Sequence, residues 1–472
     1  MFLVSADKIM FRTLLSVKKI WGLILVLFLL VGSSGFNFNA VINSIYGFNQ
    51  PSPGGNFQGL HAILGIPFFD FQDFNQPKNV TSDKNTPLDS TSITNPNSIV
   101  TNSVINSELF AIPSGFEDRV KFWTQVYSKY TSEDAIFHDS QNLGIVYKVV
   151  DLRPITQSNM HPFVKEHKIK HLIKSERKAL FAQLQSLKKK LNKKSLTDQE
   201  QALFKLLSEP KKKSQVAEAI ENLRMQQGQK DFVEKALMSS DYYLPKMEEI
   251  FVSKGLPKEL TRIPFVESSF NLAARSRVGA SGIWQIMPAT GRKLMPNSLV
   301  DYRNDPIKAT EFAVTLLKFN FKVIDTWPLA ITAYNHGPTS IKKIAKKYKT
   351  TDLAEIVRKA YGSHAFAFAS SNFYACFLAM LEVEKNRATY FPEVPRNSPL
   401  AFSTIQLKKS ISYEKLLSWF NKDSEKADQL NPHLASSIKK GRAKIPSGTV
   451  LYIPENITDL AIQDFPHLAR RI

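Results

Sequence analysis

"VESSFNLAARSRVGASGIWQIMPATG", Val266 to Gly291, contains a single acidic residue, Glu267. Ile263, Phe265, Val266 and Phe270 lie close to it in sequence. Small residues follow at Ser276, Gly279, Ala280, Ser281 and Gly282, and then Trp284 and Gln285. A carboxyl group among apolar side chains loses solvation of its charged form. Its pKa rises, and it can donate a proton near neutral pH. Upstream, "LPKELTRIPFVESSF" (256–270) predicts a helix entered through Pro257. Leu260, Ile263 and Phe270 then face inward, with Glu267 near the C-terminal end. Taken alone, the same residue reads equally well as a surface acid at a helix end.

The residues around this stretch are helical in pattern. Ala309, Phe312, Ala313, Leu316, Leu317, Asn320, Phe321 and Ile324 repeat at helical spacing over five turns, with Asp305 before Pro306 as the cap. "PLAITAYNHG" (328–337) reads as a short helix stopped by glycine, and "PTSIKKIAKKY" as another. "SSNFYACFLAMLEVEKN" is a longer helix that Ser370 or Ser371 would cap. Residues 231–392 therefore read as an all-α domain with one Gly-rich interruption. Glycoside hydrolysis usually takes a second carboxylate. Asp301, Asp305 and Asp325 are candidates, but Asp305 is better used at the helix start. A single acid suits a reaction that supplies its own nucleophile.

Several motifs occur in order: Glu267-Ser268-x-Phe270; Ser276; Gly279-Ala280-x-Gly282; Trp284-Gln285-x-Met287-Pro288-x-Thr290-Gly291; and Ala333-Tyr334-Asn335-x-Gly337. Together they resemble the signature of the lytic transglycosylases, and more narrowly the membrane-bound lytic murein transglycosylase D group, over about residues 225–392. The resemblance implies a goose-type-lysozyme-like α fold. It also implies cleavage of the β-1,4 bond between N-acetylmuramic acid and N-acetylglucosamine, leaving a 1,6-anhydro end. By it, Glu267 is the acid and then the base. Ser276, Gln285, Tyr334 and Asn335 contact the glycan or line its groove, and Tyr374 takes the position of a tyrosine beside the acid. Two positions depart from the family pattern. Ser370 and Ser371 stand where a Glu-Thr pair is common, and His336 stands where a small residue is usual.

The remaining sequence gives the setting. Of 472 residues 43% are hydrophobic, and the formal net charge is +20. Such a charge favours an anionic partner. The single cysteine, Cys376, excludes an internal disulfide and an all-cysteine metal site. Lys8, Arg12, Lys18 and Lys19 precede the apolar run Ile20 to Gly32. This marks residues 1–40 as a signal sequence or N-terminal anchor, and so points away from nucleic acid and toward peptidoglycan strands in the periplasm or cell envelope. Association with the inner or outer membrane is compatible with the same reading. Residues 41–107, rich in Asn, Ser, Thr and Pro, read as a disordered linker.

Residues 108–230 form a basic, mostly helical region. Between Met160 and Lys230, 17 Lys and Arg face 7 Asp and Glu, a net of +10. Leu180, Leu184, Leu187 and Leu191 share a helical face, as do Leu203 with Leu207, and Val216 with Ile220 and Leu223. His167 and His171 are one turn apart, but lysines surround them and no metal site is assigned. Residues 400–460 read strand, two helices, strand. They resemble a degenerate LysM-type glycan-binding module through Trp419, Asn431 and Pro432, or else form a structural cap. The expected fold class is thus mainly α: a lysozyme-like catalytic domain, a helical N-terminal region and a small α+β C-terminal module. No cofactor is called for. The alternatives are a hydrolase of the goose-lysozyme type, which would use water, and a non-catalytic peptidoglycan-binding scaffold.

Overall fold

The computed structural model describes residues 109–192, 195–361, 366–455 and 467–471. The expected signal sequence or anchor and the linker lie outside them. Among the described residues no helix is long and apolar enough to cross a membrane. The fold is mainly helical, with two small antiparallel sheets.

Alternation along one strand sets the first layers. In β1 (Asp134–Asp139), Ala135 and Phe137 enter one apolar cluster and Ile136 another. β2 (Val146–Asp151) and β3 (Leu223–Gln227) flank β1 on either side. Helices α2 (Pro162–Lys190), α3 (Asp198–Leu206) and α4 (Lys213–Glu221) cover the Ala135 and Phe137 face through Leu180, Leu184, Leu187, Leu203 and Val216. Thr197 and Glu200 close a capping box at the start of α3. Leu223 was expected to continue the helical face of Val216. Instead α4 ends at Glu221, and Leu223 opens β3 opposite Asp139.

The Ile136 face belongs to the largest core. α1 (Glu117–Ser128) contributes Val120, Phe122, Trp123, Val126 and Tyr127 to it. The longer elements that follow include α5 (Lys230–Asp241), α6 (Leu244–Ser253), α7 (Ile263–Ser268), α8 (Pro306–Ile324), α9 (Trp327–His336), α10 (Pro338–Tyr348), α11 (Leu353–Ala360) and α12 (Phe368–Lys385). α12 is apolar nearly all round, and Phe368 to Met380 are buried, as such a helix requires. α1 is joined to it by buried polar bonds: Arg119 Nη1 and Trp123 Nε1 donate to Asn372 Oδ1 at 3.0 and 3.3 Å. A helix from 108–230 thus shares one core with 231–392. α12 begins at Phe368, after Ala367, rather than at a serine cap. The helix expected from Pro257 is instead a 3-10 turn, Lys258–Arg262, followed by the short α7. Pro264 enters at the start of α7, where its missing N–H costs nothing.

The C-terminal module comprises β4 (Phe402–Leu407), α13 (Tyr413–Ser418), α14 (Ser424–Leu430), β5 (Val450–Pro454) and β6 (Ala469–Arg471), in sheet order β5-β4-β6. A short helix at Ser436–Lys439 and the third strand go beyond the expected pattern. Trp419 is buried, and the Asn431 amide bonds both the N–H and the carbonyl of Tyr452, so both serve the module's interior. The module seats on residues 299–307. Asp301 N donates to His433 O, Ala435 N to Leu299 O, and Val450 N to the Tyr302 hydroxyl. Val300 and Ile307 complete its core.

Candidate active site

α7 ends abruptly. Ser269 and Phe270 are both left-handed, with φ of 47° and 54°, and this turns the chain sharply just after Glu267. Phe265, Val266 and Phe270 go into the core, and the Phe265 and Phe270 rings lie 5.2 Å apart. The Ser268 hydroxyl bonds the carbonyls of Pro264 and Ile283, stitching α7 to the Gly-rich segment. Glu267 is left half-buried at the border of this apolar cluster. Burial alone pushes its carboxyl up to about 8, so the group is protonated at neutral pH.

The Gly-rich segment is a small closed loop. Ser276 N bonds Ala280 O, Gly282 N bonds Ala274 O, and Ser281 and Ile286 exchange both backbone bonds. The Ser276 hydroxyl accepts from Ala280 N at 2.9 Å, and so holds the turn as well as standing near the loop's surface. Gln285, at φ 46°, donates its amide to Gly282 O (2.8 Å) and Ala274 O (3.3 Å). Both donor contacts are structural, which fixes the direction of the side chain.

Trp284 carries the loop into the core. Its indole stacks on Phe251, at 5.8 Å between centroids and 7° between planes, and its N–H donates to Thr310 on α8. Its carbonyl accepts from the Tyr334 hydroxyl at 2.8 Å. Tyr334 projects from α9, and its phenol is held well above the ordinary tyrosine range by burial and then by Glu267, the charge it feels. Tyr334 is therefore the tyrosine whose electrostatics register Glu267. Tyr374 was expected in that role, but it donates to Ala111 O at 3.2 Å and stacks on Phe377.

The two departures from the family pattern meet in space. Ser370 donates to Asn335 Oδ1 at 2.8 Å and lies 3.0 Å from His336 Nδ1, while the Ser340 hydroxyl lies 2.9 Å from Nε2. Burial lowers the His336 pKa, so the ring is neutral. These partners suit the tautomer that carries its hydrogen on Nδ1, with Ser340 donating to Nε2. A histidine and a serine together fix the Asn335 carboxamide.

Sequence reading missed the clamp behind the loop, "DYRND" at 301–305. Arg303 is buried. It is held by Asp301 through Nε and Nη2, and its Nη1 donates to Gly279 O at 2.8 Å and Ile286 O at 3.1 Å. Asn304 accepts from the Ser281 hydroxyl. An Asp-x-Arg-Asn-Asp run just before a helix-starting proline was the available signal. Asp305 lies where expected, capping α8 through the N–H groups of Ile307 and Lys308, and is fully buried against the C-terminal module. Tyr452 donates to its Oδ1, and His433 Nδ1 stands 3.5 Å from its Oδ2. Burial raises it to about 7. Asp301 and Asp305 are therefore committed to the clamp and the module junction.

Comparison with known proteins places similar sequence over the same region. Residues 252–357 match the Transglycosylase SLT domain family. Membrane-bound lytic murein transglycosylase D of Escherichia coli, in strain K12 and in O6:H1 strain CFT073, is 26% identical over 191 residues, 40% of this chain and 41% of that protein. A protein proposed to confer tributyltin chloride resistance in Alteromonas sp. (strain M-1) is 34% identical over 99 residues, 20% of this chain and 48% of its own length. The chain thus spans less than half the length of the curated relatives it matches. It carries a transglycosylase SLT domain and is a distant homologue of membrane-bound lytic murein transglycosylase D.

Proposed function

We propose that this protein is a peptidoglycan lytic transglycosylase of the cell envelope. The observation that carries the reading is Glu267: a carboxyl protonated at neutral pH by burial alone, with the candidate aspartates Asp301 and Asp305 committed elsewhere. Protonated Glu267 gives its proton to the glycosidic oxygen between N-acetylmuramic acid and N-acetylglucosamine, and the bond from that oxygen to C1 breaks. The resulting carboxylate takes the proton of the muramyl C6 hydroxyl, and O6 bonds C1. Glu267 ends protonated, ready for another turn. A tethered hydroxyl has a high effective molarity and replaces the water that a second carboxylate would activate. Tyr334 keeps its proton throughout and, fixed by the Trp284 carbonyl, shapes the surroundings of the acid. Ser276, Gln285 and Asn335 line the glycan side, each with its orientation set by the loop or by Ser370. Envelope location is supported by the basic flank and apolar run near the N-terminus, and by the membrane-bound relative.

Mass spectrometry of soluble muropeptides released from purified sacculi tests the reaction. Each disaccharide unit should be lighter by one water, about 18 Da, than a lysozyme product and should resist borohydride, because its anomeric carbon is locked. Reducible products with the full hydrated mass would assign a hydrolase that uses water. Sacculi left intact would assign a scaffold.

A further inference from the structure

Helix α2 (Pro162–Lys190) uses only one side of itself in the fold. Glu166, Ile169, Leu180, Leu184 and Leu187 are buried against the sheet and its covering helices. The rest of its circumference has an unusual mixture for a solvated surface. Phe163 is 72% exposed, Val164 41% and Phe181 45%. Phe163 and Phe181 are eighteen residues apart, five full helical turns, so they project in the same direction about 27 Å apart along the axis. Between them, His167, Lys174 and Lys178 fall on the same stripe and are exposed. The helix holds nine Lys and Arg against two acids. Both acids are engaged: Glu166 with Lys170 and Glu176 with Lys148. No acid falls on the stripe, and Lys174 and Lys178 give it positive charge, with an aromatic ring at one end and another in its second half.

We infer that α2 is an interfacial helix that lies flat on an anionic lipid bilayer. Its lysines would meet the headgroups while Phe163, Val164 and Phe181 enter the acyl boundary. Charge alone would fit lipid phosphates or the carboxylates of peptidoglycan. Phenylalanine and valine side chains projecting from a basic helix favour the bilayer, since basic helices with exposed aromatic residues bind membranes by burying them at the acyl boundary. The topology suits such docking. α2 covers one face of the β2-β1-β3 sheet, and the core that holds Glu267 lies on the other, reached through Ile136. A chain seated on lipid through α2 turns its catalytic body away from the bilayer. The inference does not depend on the catalytic reading, and its test reads binding rather than turnover.

The test uses the full chain with His167→Cys carrying an environment-sensitive fluorophore; Cys376 is buried and stays unlabelled. Because the probe sits on α2, contact of other parts of the chain with a vesicle does not move it. Vesicles of phosphatidylglycerol and phosphatidylethanolamine should shift the emission to the blue, and brominated acyl chains should quench it. Phosphatidylcholine vesicles should give neither effect. Adding Phe163→Ser and Phe181→Ser, both at exposed positions, should cut the apparent affinity at least tenfold while the circular dichroism spectrum is unchanged. An equal shift with phosphatidylcholine, an undiminished shift in the double serine variant, a shift with purified sacculi but not vesicles, or no shift with either would each overturn the proposal.

Discussion

Glu267→Gln should remove turnover of purified sacculi by about a thousandfold or more, and should at the same time make the protein more stable at alkaline pH. The two effects have one cause. The amide keeps the shape of the side chain but cannot give up and retrieve a proton, a role worth roughly 10²–10⁴ in rate before any change in electrostatics. Stability changes through linkage. The Glu267 pKa is raised in the folded state to about 8 from an ordinary 4.5, so the folded protein binds the extra proton between those values. The parent is favoured below about pH 4.5, where the group is neutral in both states, and loses that advantage as pH rises through about 8. At pH 9 it carries the full cost of a charge beside Phe265 and Phe270. Glutamine carries none. The melting temperature of the variant should match the parent near pH 5 and exceed it at pH 9, by an amount equivalent to ~2–4 kcal/mol. Turnover by the parent should fall above pH 8, as the acid becomes ionised. Turnover by the well-folded variant within tenfold of the parent would remove Glu267 from the chemistry. A constant melting difference across pH would show that the carboxyl is not desolvated.

The lone acid was legible because its signals are local. Apolar residues beside Glu267, the small residues after it and the Trp284-Gln285 pair all fall within one stretch, and the helical periodicity of α8 runs uninterrupted over five turns. α10 was read to its ends, since glycine and proline mark its start; in the fold a left-handed Lys349 stops it. What could not be read depends on distant partners. The Ser370 hydroxyl would have capped a helix from one residue's context alone. In the fold it serves Asn335 and His336, thirty-five and thirty-four residues away, so the helix starts at Phe368 instead. Tyr374 and Tyr334 are both tyrosines on helices that face the core. Only packing shows that Ala111, from before α1, occupies the Tyr374 hydroxyl, while the Tyr334 hydroxyl is given to the Trp284 carbonyl. Leu223 has the right spacing for a helical face, yet strand pairing with β1 outweighs propensity over so short a segment. The shared core of α1 and α12 was hidden for a related reason: the Arg119–Asn372 bond joins residues 253 apart.

Gly282→Ala should unfold or severely weaken the protein, and the expected effect is far larger than for Gly337→Ala, although both glycines have positive φ, 73° and 91°. Any L residue at such a φ pays a backbone cost of about 1–3 kcal/mol. At Gly337 that is the whole cost, because an added Cβ meets nothing within 4 Å. At Gly282 the added carbon would stand 1.8 Å from the Arg303 carbonyl oxygen and 2.7 Å from its carbon, well inside van der Waals contact with backbone that has nowhere to go. Asp301 holds the Arg303 guanidinium, which in turn grips Gly279 O and Ile286 O, while Tyr302 and Asp305 on either side are bound to the C-terminal module. Relief therefore has to come from the loop. Moving Gly282 breaks its bond to Ala274 O and drags Gln285, whose amide depends on the Gly282 carbonyl. Trp284 would have to leave Phe251, and Tyr334 would lose the carbonyl that fixes its hydroxyl. A loss of ~3 kcal/mol or more is the scale for overpacking against an immovable backbone added to left-handed strain. Urea denaturation of the three proteins measures the ranking, and turnover of sacculi by whatever fraction of Gly282→Ala folds should be at least a hundredfold below the parent. If Gly282→Ala lies within 1 kcal/mol of Gly337→Ala, the contact with Arg303 is soft, and the clamp does not set the position of the loop.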